Sequence, residues 1–174
     1  MDSFENESKM STSFSKLLNE LQKDSIFYIP ELKGFFGVPD YVLIEVDKDG
    51  GVLNTVAVEL KLHNWKRALI QAFRYRTFAN SSFVIIDAFY IHRAINNIEL
   101  FRKYKVGLAS LSTDNSLVVY YMPNPGEPFN HNYTNRITTL SAAKISITER
   151  KSAKRKTLQD YISQVNRVSS LQHS

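Results

Sequence analysis

Two β-rich runs separated by a turn constrain this chain more than any other feature. Residues 39–46 (PDYVLIEV) and 52–62 (VLNTVAVELKL) are rich in Val, Leu, Ile and Tyr, and Asp47-Lys-Asp-Gly-Gly51 between them has turn composition. The pattern predicts an antiparallel hairpin. Apolar side chains fall on both of its faces, which places it centrally in a sheet rather than at an edge. A helix is predicted to follow at once over 64–79 (NWKRALIQAFRYRTFA), with Trp65, Leu69, Ala72, Phe73 and Arg76 on one stripe and Asn64 as a natural N-cap. Residues 82–89 (SFVIIDAF) then form a continuous apolar run that reads as a buried strand.

The flanking elements complete an α/β pattern. Residues 1–11 are polar and expected to be disordered, and 13–23 carry Phe14, Leu17, Leu18 and Leu21 at helical spacing, capped by Ser11 or Thr12. Residues 25–30 predict a short strand ended by Pro30, and 92–104 a helix with Ala94, Ile95, Ile98 and Phe101 inward. Strands are predicted at 106–111 and 117–122. The order α-β-β-β-α-β-α-β-β implies a mixed sheet flanked by helices. The expected division is a domain over 12–123, then 124–174 as a loop and a basic C-terminal helical extension, helical over 148–170 with Leu158, Tyr161, Ile162 and Val165 on its apolar side.

Composition removes several classes. The absence of cysteine excludes disulfides, a thiolate zinc site and a cysteine nucleophile. No run approaches a membrane span, and the polar, acidic start is unlike a secretory signal, so a cytoplasmic protein without a membrane partner is expected. No Gly-x-Ser-x-Gly elbow or phosphate-cradling glycine loop is present. The net charge of +5 is concentrated at one end: residues 136–174 hold eight Lys or Arg against Glu149 and Asp160, which points to a polyanionic partner.

Asp40, Glu59 and Lys61 carry the chemistry. Glu59 and Lys61 are two apart on one strand and share a face. A turn at Asp49-Gly50 gives paired residues whose numbers sum to 99, which sets Asp40 opposite Glu59. A bulge would shift this register by one and send one carboxylate to the other face. Two carboxylates at this separation repel, and burial adds a desolvation cost. A hard divalent cation such as Mg²⁺ relieves both, and a cation with two carboxylates and a lysine can attack a phosphodiester.

Pro39-Asp40, eighteen intervening residues and Glu59-Leu60-Lys61 resemble the motif of the PD-(D/E)xK nuclease superfamily. Gln71-Ala-Phe-Arg-Tyr75 on the following helix resembles the Q-x-x-x-Y element of some of its branches. The resemblance covers about residues 13–122 and implies a restriction-endonuclease-like fold, a mixed central β-sheet with helices on both sides. It implies Asp40 and Glu59 as ligands for Mg²⁺, with Mn²⁺ as a substitute. It implies Lys61 as the catalytic lysine, and Gln71 and Tyr75 as an auxiliary pair touching the water at the site or the DNA backbone. Many members add a glutamate from the first helix, for which Glu20 is the candidate and Glu31 a loop alternative. DNA is the expected substrate, and a homodimer is common in such folds. Lys66, Arg67 and Arg74, with Arg150, Lys151, Lys154, Arg155 and Lys156 in the tail, are candidate phosphate contacts. The alternative is a catalytically silent module of the same fold that binds nucleic acid or a protein.

Overall fold

The structure, a computed structural model, describes residues 2–21, 25–33, 37–49, 51–130, 132, 133, 135–137 and 139. The basic helix expected over 148–170, with Arg150, Lys151, Lys154, Arg155 and Lys156, lies outside the described residues. Within them, six strands form one sheet in sequence order: β1 (Ile26–Pro30), β2 (Tyr41–Val46), β3 (Val52–Lys61), β4 (Ser81–Asp87), β5 (Gly107–Leu111) and β6 (Leu117–Tyr121). The pairs β1/β2, β2/β3 and β5/β6 are antiparallel, and β3/β4 and β4/β5 are parallel. Parallel neighbours need a crossover, supplied by helix α2 (Trp65–Tyr75) in the first case and by α3 (His92–Ile95) with α4 (Ile98–Tyr104) in the second. The chain is therefore α/β with a mixed six-stranded sheet.

Strand alternation sends alternate side chains to two cores. Val42, Ile44, Ala57, Val84, Ile86 and Leu108 pack under α2, α3 and α4, with Trp65, Ala72, Ala94 and Phe101 facing them. Tyr41, Leu43, Val58, Leu60, Phe83 and Ile85 face the opposite way, onto Met10, Phe14 and Leu18 of helix α1 (Glu7–Leu21). Helices thus cover both faces. Asn64 caps α2 as expected, its side chain accepting from the Arg67 N–H. Phe73, placed in the inward stripe from sequence, is instead exposed.

The beginning of the chain departs from expectation. Residues 2–11 are ordered, and α1 starts at Glu7 rather than Ser13. Asn6 caps it, its side-chain oxygen accepting from the Lys9 N–H at 2.9 Å. Phe4 and Met10 are buried in the α1-side core. The fully buried Asp87 at the end of β4 anchors this segment, with one carboxylate oxygen accepting from Ser3 Oγ at 2.7 Å and the Phe4 N–H at 2.8 Å. The apolar spacing Met10–Phe14–Leu18 and the Asn6 cap satisfy more of the helix than the shorter segment did.

The hairpin register is as predicted where it matters. Tyr41 opposes Val58 and Glu45 opposes Asn54, a constant sum of 99. At the turn end, however, Val46 opposes Val52, a sum of 98, and a bulge at Leu53 restores the register. The helix expected over 92–104 is two pieces, α3 and α4, broken at Asn96-Asn97. Asparagine competes for backbone hydrogen bonds, and Asn97 Nδ2 donates to the Arg93 carbonyl at 2.9 Å. No helix among the described residues is long and apolar enough to cross a membrane.

Candidate active site

The site lies where β2 begins and β3 ends. The β2 ladder stops at Tyr41, and there the Asp40 carboxylate takes over as acceptor for the Leu60 N–H, at 2.6 Å. Asp40 is thereby held beside Glu59 and Lys61, as the sum of 99 requires. Burial raises the Asp40 pKa above its usual value, against the lowering effects of the Leu60 N–H and Lys61; Glu7 and Glu31 add to the rise. Burial also raises the Glu59 pKa, and Asp40 contributes to that rise.

Glu59 is 2% exposed and held from two sides. Tyr75 Oη lies 2.6 Å from its Oε2, and Lys61 Nζ lies 3.2 Å from its Oε1. The Tyr75 hydroxyl has a second acceptor, the Val38 carbonyl, at 3.1 Å. It carries one hydrogen, so it donates to an ionised Glu59, or to Val38 while accepting from a protonated one. Burial, then the Glu59 carboxylate, raise the Tyr75 pKa far above its usual value. Gln71, one turn earlier on α2, lies beside Tyr75 and works against this rise, while its buried Oε1 has no hydrogen-bond partner among the described residues. Gln71 and Tyr75 thus reach the site as one helical pair at i, i+4.

Gly37 makes room for this arrangement. Its φ is +105°, and a Cβ there would lie 2.9 Å from Tyr75 Cε1. Gly37→Ala combines backbone strain with a clash and is expected to destabilise the fold by about 1–3 kcal/mol. Urea unfolding checks this, and an unchanged midpoint would show that Tyr75 gives way at no cost.

Lys61 gathers oxygens. Its Nζ lies 3.0 Å from the Leu60 carbonyl, 3.2 Å from Glu59 Oε1 and 3.2 Å from Glu7 Oε2. Burial pulls its pKa down, but Glu59 and Glu7 outweigh this and the net shift is upward. The first-helix glutamate at this site is therefore Glu7, not Glu20. Thirteen residues of helix separate the two, about 20 Å along the axis, and Glu20 is exposed. Glu7 was missed because residues 1–11 were expected to be disordered; the Asn6 cap was the available signal. Glu31, the loop alternative, is exposed with φ +46°, and its N–H donates to the Asp40 carbonyl at 3.0 Å.

Three oxygens around one ammonium, beside the half-buried Asp40 carboxylate, form an environment that favours positive charge. The donors are all hard oxygens, the kind Mg²⁺ and Mn²⁺ take, and such ions complete their shells with water and substrate oxygens. Asp40, Glu59 and the Leu60 carbonyl fit such an ion. Among the described residues no three His, Asp or Glu side chains form a metal cluster by themselves. Of the expected phosphate contacts, Lys66, Arg67 and Arg74 are exposed on α2. His63 is exposed, its ring 5.6 Å from that of Tyr90. No protein-family model matches the chain, and no curated protein and no solved structure matches it.

Proposed function

We propose that this chain is a divalent-cation-dependent nuclease of the PD-(D/E)xK class, with a restriction-endonuclease-like fold and DNA as its substrate. The observation that carries the reading is the convergence of Asp40, Glu59 and Lys61 at the β2/β3 end, with Tyr75 of α2 bonded to Glu59. The contacts that link Asp40, Glu59, Lys61 and Tyr75 support the reading.

Asp40 and Glu59, with the Leu60 carbonyl, would hold Mg²⁺ or Mn²⁺. Such an ion supplies charge neutralisation at the phosphate and activation of water. The remaining work belongs to the chain. Tyr75 holds the Glu59 carboxylate in one orientation, with Gln71 beside it on the same helix face. The Leu60 N–H does the same for Asp40. Lys61, cationic throughout the neutral range, offers its ammonium to a phosphate oxygen or to the attacking water. Glu59 and Glu7 hold its pKa above the usual value in the metal-free protein, which keeps the ammonium charged and favours an electrostatic contribution.

The test is incubation of the full chain with supercoiled, linear and single-stranded DNA and with RNA, in Mg²⁺ and in EDTA. The reading predicts DNA cleavage in Mg²⁺ and none in EDTA. Intact nucleic acid in every Mg²⁺ reaction with folded protein overturns it.

A further inference from the structure

One exposed face of the molecule is neither polar nor accounted for by the site. On α2, Ile70 is 57% and Phe73 39% exposed, and beside them Tyr104 of α4 is 38% and Phe129 62% exposed. These side chains are contiguous. The Phe73 ring lies 5.3 Å from the Tyr104 ring and 6.1 Å from the Phe129 ring. Phe129 is held in place rather than loose: its N–H donates to the Arg76 carbonyl at 3.0 Å, and the buried Arg76 guanidinium sits 5.4 Å from its ring centre. An exposed cluster of four large apolar groups marks an interaction surface.

Charge identifies the occupant. Helix α2 contains no acidic residue, and Arg67 and Arg74 lie with Ile70 on its outer side at i, i+3 and i+7. Lys103 Nζ lies 5.7 Å from the Tyr104 ring centre. The acidic residue of α4, Glu99, is engaged with Arg102 at 3.3 Å. A cationic rim repels a second copy of the same face. It attracts a polyanion that also offers flat apolar groups, which is the description of an unpaired nucleic acid strand. A duplex offers phosphates but keeps its bases stacked inside.

We propose that this face binds single-stranded nucleic acid, with bases against Phe73, Tyr104 and Phe129 and phosphates on Arg67 and Arg74. The two arginines each neighbour Ile70 on one side and Gln71 on the other. A strand crossing α2 therefore passes from the aromatic flank over the arginines to the flank that carries Gln71 and Tyr75. The proposal goes beyond the hydrolysis reading and rests on this surface alone.

Fluorescence anisotropy tests it, with the full chain in EDTA so that no divalent ion contributes. The probes are a labelled oligothymidylate of about 20 nucleotides, longer than one such site, and a duplex of equal length. The single strand is expected to bind more tightly. The double variant Phe73→Leu/Phe129→Leu keeps an apolar surface but loses the π-faces. It is expected to weaken single-strand binding about tenfold or more, the scale of lost base–aromatic stacks, and to leave duplex binding unchanged. Arg67→Gln/Arg74→Gln is expected to reduce the salt slope by about 1.4. Single-strand affinity unchanged in the Leu variant overturns the proposal. So does displacement of the oligonucleotide by polyglutamate with the same ring dependence, which assigns the face to an acidic polypeptide. Failure in EDTA leaves the hydrolysis reading standing, and absence of cleavage with binding intact leaves this one standing.

Discussion

Lys61→Met is expected to slow DNA cleavage by about 10²–10³-fold, the scale of losing one preorganised group that stabilises developing charge. The Lys61 ammonium is placed by the Leu60 carbonyl, Glu59 and Glu7, and its side chain is 16% exposed. The same contacts give the substitution a stability signature. A cation whose pKa is raised on folding contributes stability that is complete below its unfolded value of 10.5 and is lost as pH rises through the folded value. Lys61 therefore stabilises the fold across the whole neutral range. Without it, Glu59 and Glu7 lose a partner, so Lys61→Met is expected to lower the melting temperature at pH 7. The deficit narrows at acid pH, where protonation of Glu59, whose pKa burial raises, removes its need for a cation. Lys61→Arg keeps the charge but not its compact shape, and is expected to restore stability more fully than cleavage. Wild-type cleavage by Lys61→Met would remove the lysine from the chemistry.

Asp40→Asn has the opposite stability sign and the same effect on activity. Burial and the neighbouring carboxylates raise the Asp40 pKa, so its ionised form is disfavoured in the folded metal-free protein. The stability associated with this group is complete below its unfolded value of 3.8 and is lost as pH rises through the raised folded value. At pH 7 the charge is a liability to the fold. Asparagine retains an oxygen to accept from the Leu60 N–H, removes the repulsion with Glu59, and is expected to stabilise the protein in EDTA by about 1 kcal/mol. The gain disappears below pH 4, where the aspartate is itself protonated. Cleavage is expected to fall to background, because on the proposed reading Asp40 is one ligand of the cation. Thermal unfolding in EDTA across pH 3.5–8 checks the sign, and a variant less stable than wild type at pH 7 contradicts it. A residue whose removal stabilises the fold is retained for function, so this measurement bears on the site independently of any substrate.

Much of the site was legible because local geometry determines it. A hairpin sets Asp40 beside Glu59, and an i, i+4 pair puts Gln71 and Tyr75 on one helix face; that the second pair belongs with the first was implied by the resemblance alone. The agreement in register owed something to compensation. The turn pairs Val46 with Val52, and only the extra residue Leu53 brings Tyr41 opposite Val58, with Asp40 the next residue beyond the ladder. The composition of the turn does not announce that bulge. What was not legible depends on tertiary contacts. Glu7 reaches Lys61 because Asp87, eighty residues later, holds Ser3 and Phe4. Polar residues at the start of a chain look disordered until their partner is known. Phe73 meets Tyr104 of α4 and Phe129 instead of the core, tertiary neighbours that helical periodicity cannot supply. The break at Asn96-Asn97 was readable as a stop and restart, but the apolar spacing through it outweighed the asparagines.

The central claim is that Asp40, Glu59 and Lys61 hydrolyse phosphodiesters together. The most direct measurement is the nicking rate of supercoiled DNA in Mg²⁺ by wild type, Asp40→Asn and Lys61→Met at equal concentration, each shown to be folded by circular dichroism. The account predicts nicking by wild type that EDTA stops, background nicking by Asp40→Asn, and a rate reduced about 10²–10³-fold in Lys61→Met. Equal rates for all three proteins, or no nicking by folded wild type, would contradict it.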